Sequence, residues 1–229
     1  MSIFFSSAVI AAVIIIIAIV VIAAVLLNGE NAGRNRGGEH GIGEGSYACS
    51  GSRRSGWHLF EPGYKRAGRR GEAAAAKAIS GLLGKKERLF TNVSVRAEGG
   101  RAELDNIVVN RFGVFIIEVK NYNGYIEGGE EDFEWRKYKM TPAGNTYESS
   151  VKNPIKQVKR QVYLLAKYLR YYGSDVWVEG YAFLLQDNSP VESSCILRTP
   201  DDIDRAIHTK RRRMLSEEEV EEIARLIGG

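Results

Sequence analysis

Asp105, Glu118 and Lys120 are the residues of this chain whose types and spacing could do chemistry. Glu118 and Lys120 stand in the run Val114 to Lys120 (VFIIEVK), and Asp105 stands in Glu103 to Val109 (ELDNIVV). Two carboxylates and an ammonium at one point are the makings of a site that holds a hard divalent cation and activates water beside it. Mg²⁺, with Mn²⁺ as its substitute, takes one or two protein carboxylates and keeps several waters for exchange. The lysine could orient an attacking water or offset charge on a scissile phosphate. A lone Glu-x-Lys is more simply a charge cluster at a strand end. The weight of the reading therefore falls on whether the chain brings Asp105 to it.

Both runs are rich in β-branched residues, and Asn110-Arg111-Phe112-Gly113 between them reads as a four-residue hairpin loop with glycine last. That loop sets the register. Val109 faces Val114, Ile107 faces Ile116, and Asp105 faces Glu118. Alternation then puts Glu118 and Lys120 on the face that carries Asp105. Opposed residues have Cβ atoms about 4.5–5.5 Å apart, and like charges so placed destabilise the pair. A divalent cation between them removes that objection. Both faces are apolar beyond the charged end, which predicts a central strand covered on both sides.

Two helices flank this hairpin in sequence. Ala67 to Leu83 is predicted helical, with Ala75, Ile79, Leu82 and Leu83 as its apolar face. Glu72 lies seven residues before Ile79 and points the same way. It is either a partly exposed acid favoured by the helix N-terminus or a member of the site. The second helix lies in KNPIKQVKRQVYLLAKYLRYYG, with Asn153 as cap and Pro154 at the first position. Ile155, Val158, Val162, Leu165 and Leu169 form its core face, and Gln157 sits in its first turn, close to both faces. Lys156, Lys159, Arg160, Lys167 and Arg170 form a basic side. Such a side is usually solvated, and beside a carboxylate site it could hold a nucleic-acid backbone.

The remaining elements are supportive. Leu89 to Arg96, Tyr125-Ile126 and Trp135 to Met140 read as strands, and Val176 to Leu185 as two short apolar stretches around Glu179-Gly180. Pro200 to His208 reads as a helix, Lys210 to Arg213 as a solvated basic helix end or, less readily, a nucleic-acid or lipid-headgroup contact, and Ser216 with Glu219 as a capping box opening the last helix.

The N-terminus is organised differently. Every residue from Ala8 to Leu27 is Ala, Val, Ile or Leu, long enough as a helix to cross the roughly 30 Å hydrocarbon core. MSIFFSS before it has no charged side chain, unlike the start of a signal peptide. Arg34, Arg36, Arg53, Arg54, Lys65 and Arg66 follow the span and none precedes it, so the positive-inside rule predicts a single-pass cell-membrane protein with its C-terminal part cytoplasmic and its N-terminus outside. Asn28 to about Gly56 is a Gly- and Ser-rich tether, and GIGEG within it lacks the strand and helix of a phosphate loop. Trp57 to Tyr64 is an aromatic cluster for either a domain edge or the membrane interface. With 32 Lys and Arg against 28 Asp and Glu, the net charge of +4 permits a polyanionic partner without demanding one. Two cysteines and three scattered histidines offer no zinc site.

The run Gly71-Glu72, then ELDNIVVNRFGVFIIEVKNYNG, then NPIKQ resembles the NERD (nuclease-related) domain of the PD-(D/E)xK, restriction-endonuclease-like group. The resemblance covers about Arg66 to Ile227. It implies an α/β fold with a mixed central sheet flanked by helices, which adds to the anchor at 1–28 and the tether at 29–65 a nuclease-like domain at 66–229. It also implies Glu72 as the first-helix acid, Asp105 and Glu118 as metal ligands, Lys120 as the catalytic lysine, and Gln157 as the helix residue that meets the site. Mg²⁺ or Mn²⁺ is the implied cofactor, with no organic cofactor, and DNA or RNA the implied substrate. Leu104 stands where the group's name has proline, and Gln161 stands where some relatives have the tyrosine of a Q-x-x-x-Y helix motif, with Tyr163 two residues on. The two function classes are a membrane-anchored, metal-dependent phosphodiesterase and a membrane-tethered scaffold that keeps the fold to bind nucleic acid or protein.

Overall fold

Alternating and β-branched runs build a central six-stranded sheet, seen in a computed structural model that describes residues 47–51 and 63–228. The strands are β1 (Ala48–Gly51), β2 (Arg88–Ala97), β3 (Gly100–Asn110), β4 (Gly113–Lys120), β8 (Val178–Leu184) and β9 (Ile196–Leu197), in that spatial order. The β1 to β4 pairs are antiparallel, and β4/β8 and β8/β9 are parallel, so the sheet is mixed. Central β4 is buried from Gly113 to Val119, as a strand covered on both faces must be. A separate three-stranded sheet joins β5 (Tyr125–Glu127), β6 (Glu134–Met140) and β7 (Thr146–Lys152).

Four helices are described: α1 (Gly63–Leu82), α2 (Pro154–Tyr171), α3 (Pro200–His208) and α4 (Glu217–Gly228). Helix α2, through Leu164, Leu165 and Leu169, packs with Val220 and Ile223 of α4 against Leu104, Ile107 and Ile116. Ala75 and Ile79 of α1, with Ile203 and Ile207 of α3, cover the opposite face at Val108, Phe115 and Ile117. A satellite core of Ile126, Trp135, Ile155 and Val191 lies under the small sheet at the start of α2. Asn153 fixes that junction. Its Oδ1 accepts from the Ile155 amide at 2.9 Å, and its Nδ2 donates to the carbonyls of Gly129, Glu130 and Asp132 at 3.2, 2.9 and 2.7 Å.

Several boundaries differ from expectation. Asn110 pairs with Gly113, so the hairpin turns through Arg111 and Phe112 alone. The turn tightens because Asn110 Oδ1 accepts from the Phe112 amide at 2.8 Å, yet the register of Val109 on Val114 is unchanged. The two stretches expected within Val176 to Leu185 form one strand, β8, because parallel pairing with β4 carries it through Gly180. Two pieces of the expected tether have regular structure: β1 pairs with β2, and α1 begins at Gly63. The apolar span 8–27 and the GIGEG segment lie outside the described residues, among which no helix is long and apolar enough to cross a membrane.

Gly180 sets how closely α2 approaches the sheet. A Cβ there would lie 2.3 Å from Val158 Cγ1 and 2.7 Å from Val162 Cγ2. Both neighbours are β-branched and stiff. Gly180→Ala is therefore expected to lower the unfolding free energy by about 1–3 kcal/mol in chemical denaturation. An unchanged midpoint would show that α2 is not held at contact distance.

Candidate active site

Glu118 is the centre of the polar cluster. It lies on β4 and is 3% exposed. An isolated buried carboxylate is costly, and here its partners come from its own strand and from α2. Lys120 Nζ, one strand repeat along, donates to Glu118 Oε1 at 2.6 Å. Gln157 Nε2 donates to the same oxygen at 2.5 Å, and Gln161 Nε2 donates to Oε2 at 2.7 Å. Gln157 and Gln161 are four apart on α2, one above the other on the face turned to β4. The cap at Asn153 and Pro154 fixes where that first turn begins, which is why the NPxxQ spacing delivers Gln157 to Glu118.

Asp105 reaches the site by a break in the sheet. Leu104 and Ile107 both enter the α2-side core, as do Phe90 and Val93 on the neighbouring strand. Residues three apart cannot share a face in regular alternation. The slip sits where Thr91 pairs with Asn106 and Val93 with Leu104, so the ladder skips the rung of Asn92 and Asp105. Asn92 has φ 53°, a left-handed conformation uncommon outside glycine and concentrated in Asn and Asp. On its other side β3 parts from β4 after the Asn106–Ile117 pair. Across that fork Asp105 Oδ2 accepts the Val119 amide at 2.9 Å, and Gln161 Nε2 also donates to the Glu103 carbonyl at 2.8 Å. The expectation of Asp105 and Glu118 side by side on one flat face is thus corrected. The register is the one read from the turn, but the slip turns Asp105 into the fork, within electrostatic reach of Glu118.

Burial, followed by the negative charge of Glu118, pushes the Asp105 carboxyl up to about 7 from an ordinary 3.8. The Val119 amide and the Lys120 ammonium oppose this, and Glu72 adds to it. Glu72 itself lies on α1 and shares a cleft with Asp105. Gly71 permits that approach, because a Cβ there would fall 2.6 Å from Leu185 Cδ1 and 3.2 Å from Asn121 Nδ2. All five residues expected in the site, Glu72, Asp105, Glu118, Lys120 and Gln157, therefore converge. Gln161 and Tyr122 were not among them. The four-residue step from Gln157 could have indicated Gln161. Tyr122 follows Lys120 by two residues, and burial followed by the charge of Glu118 raises its hydroxyl pKa.

The residues present fit a hard divalent cation. The donors are oxygens, and two negative groups are held together in a buried place at a cost to Asp105. Two buried amide oxygens nearby, Asn106 Oδ1 and Gln161 Oε1, accept no hydrogen bond from the protein. Among the described residues no group of three or more His, Cys, Asp and Glu forms a ready metal cage. The protein's share is then two carboxylates, a number Mg²⁺ accepts when solvent completes its shell.

The basic side of α2 is largely engaged within the chain. Lys159 Nζ pairs with Glu130 at 2.9 Å and Lys167 with Glu98 at 3.0 Å. Arg160 donates to the Gly99 carbonyl at 3.1 Å, and Lys156 lies 4.8 Å from the centroid of the Phe133 ring. The run Lys210 to Arg213 forms the connection after α3, where Arg211 pairs with Glu179 and Arg213 with Glu219.

The family model described as "Nuclease-related domain" matches residues 67–185. An uncharacterised protein of Bacillus anthracis is 35% identical over 91 residues, 39% of this chain and 41% of that protein. The chain thus spans less than half the length of that relative. No solved structure matches.

The raised Asp105 carboxyl has a signed consequence for stability. Between its unfolded value near 3.8 and its folded value of about 7, the folded chain holds a proton that the unfolded chain releases. Stability from this group is therefore full at the low end of that window and falls as pH rises toward 7. Without divalent cation, Asp105→Asn is expected to gain on the wild type by more than about 1 kcal/mol between pH 5 and pH 7 in denaturant melts. A constant difference across that range would contradict the placement of Asp105.

Proposed function

The chain belongs to the nuclease-related domain family, within the restriction-endonuclease-like superfamily, and from that premise we propose that it hydrolyses phosphodiester bonds in DNA or RNA with a divalent metal. One observation carries the reading: a buried Glu118 is held by Lys120, Gln157 and Gln161 beside an Asp105 whose carboxyl is raised by burial and then by the Glu118 charge. Structural ion pairs seldom accumulate two acids, a lysine and two amides at a fork in a sheet, whereas catalytic centres collect such perturbed groups.

Asp105 and Glu118 would hold Mg²⁺ or Mn²⁺, which when bound supplies Lewis acidity and lowers the pKa of an attacking water. Lys120, fixed by its bond to Glu118, presents an ammonium that orients that water or offsets charge gathering on the phosphate. Gln157 and Gln161 hold the Glu118 carboxylate in one orientation, so that little rearrangement is needed at the reaction. Glu72 completes the acidic side from α1. The apolar span 8–27 and the arginines after it support a membrane anchor with this centre on the cytoplasmic side.

A second reading keeps the fold as a tethered binding scaffold. What favours it is that both Glu118 oxygens already accept hydrogen bonds from the chain. The two readings part in a cleavage assay of the full chain on plasmid, single-stranded DNA and RNA with Mg²⁺ or Mn²⁺. Nuclease action predicts turnover abolished by chelation and lowered about 10²–10³-fold in Asp105→Asn and in Lys120→Met. Cleavage that survives chelation, or that the variants retain, contradicts this assignment, and absence of any turnover favours the scaffold.

A further inference from the structure

Given the nuclease reading, the next question is where a polyanionic strand would lie. The basic side of α2 was the expectation from sequence. Lys159, Lys167 and Arg160 there are paired with Glu130, Glu98 and the Gly99 carbonyl, and a phosphate would have to displace those partners. The opposite face of the sheet offers a different surface. A cleft of about 710 Å³ runs between α1 and the kinked rung of β2 and β3. Arg66, Arg69, Arg70 and Glu72 line it from α1, and Thr91, Asn92 and Asp105 line it from β2 and β3.

Three features suit this cleft to a phosphodiester backbone. Arg66, Arg69 and Arg70 fall at i, i+3 and i+4, so their guanidinium groups rise from one face of α1 as a cluster. Guanidinium presents a planar fork that matches phosphate oxygens in pairs. The helix surface beyond them is small, since Ala73 and Ala76 also line the cleft and leave room for a strand to come close. Finally, the left-handed Asn92 opens the rung opposite Asp105, so the cleft leads to the candidate metal ligand. Arg66 and Arg70 are exposed while Glu72 and Asp105 are half-buried, an order that would seat flanking phosphates on arginine and the scissile one beside Asp105.

The geometry points to the α1 cleft, through Arg66, Arg69 and Arg70, as the binding site for the sugar-phosphate backbone of a nucleic-acid strand. The site recognises phosphate and not base, so its affinity is independent of sequence and steep in salt.

The test is fluorescence anisotropy of a labelled single-stranded oligonucleotide with the full chain, in EDTA so that no cleavage intervenes. Arg66→Ala/Arg70→Ala is expected to weaken binding about tenfold and to flatten the log–log salt dependence by about two. Arg66→Glu/Arg70→Glu is expected to weaken it further, and Lys159→Ala/Lys167→Ala to change it less than about twofold. Thermal melts of each variant separate lost binding from lost folding, with the exposed Lys159 pair serving as the matched control. Unchanged binding in the well-folded arginine variants, a larger loss in the α2 variant, or no binding by the wild type overturns the assignment. Binding that follows the arginines without any metal-dependent cleavage leaves this site standing and rejects the nuclease reading. Cleavage by arginine variants that bind as the wild type does the reverse.

Discussion

A carboxylate buried on a central strand must be neutralised, paired or lost, because its desolvation outweighs any single contact it can make. Glu118 occupies that position on β4, and much of the arrangement around it follows from its pairing. Its own strand supplies Lys120 two residues on, while α2 supplies Gln157 and Gln161. To place those amides, α2 must begin at Pro154, and so Asn153 must be tied to the loop between β5 and β6. The helix must also lie close on β8, which accounts for Gly180 facing Val158 and Val162. Removing one donor would leave a buried acceptor exposed to the full cost of an unmade bond, so the cluster stands or falls together.

Asp105 adds a second demand that regular sheet geometry cannot meet. A flat antiparallel rung would set it against Glu118 with nothing between them. The matched slip at Asn92 and Asp105 avoids that contact. It opens a fork between β3 and β4, which Gln161 spans from Glu103 to Glu118. The fork gives Asp105 a backbone donor in Val119 and a view into the α1 cleft. What remains is the cost of burial and, after it, repulsion from Glu118, both visible in the raised Asp105 carboxyl. Strain and uncompensated charge kept in a fold more often mark a working site than a defect.

The hairpin register was legible because it depends only on two β-branched runs and the number of residues between them. The mixed sheet with helices on both faces was legible by resemblance, and the helices by their caps and apolar spacing. The slip was not, since Leu-Asp-Asn-Ile reads as plain alternation and only tertiary packing shows Leu104 and Ile107 on one side. Gln161 was legible only as a departure from the Q-x-x-x-Y pattern, because its partner lies 43 residues away on another element. The basic side of α2 read as open surface because its acidic partners, Glu98 and Glu130, come from other elements. The α1 arginines flank and open a helix whose sequence marks only its apolar face, and the β2–β3 wall that makes a cleft with them comes from other elements.

The central claim is that Asp105 and Glu118 together make a place for a hard divalent cation. Titration calorimetry of Mn²⁺ into the full chain at neutral pH tests it most directly. The account predicts saturable binding with protons released, since the cation displaces the one held by Asp105, and predicts loss of that binding in Asp105→Asn. Absence of binding by the wild type, or equal binding by the variant, would contradict it.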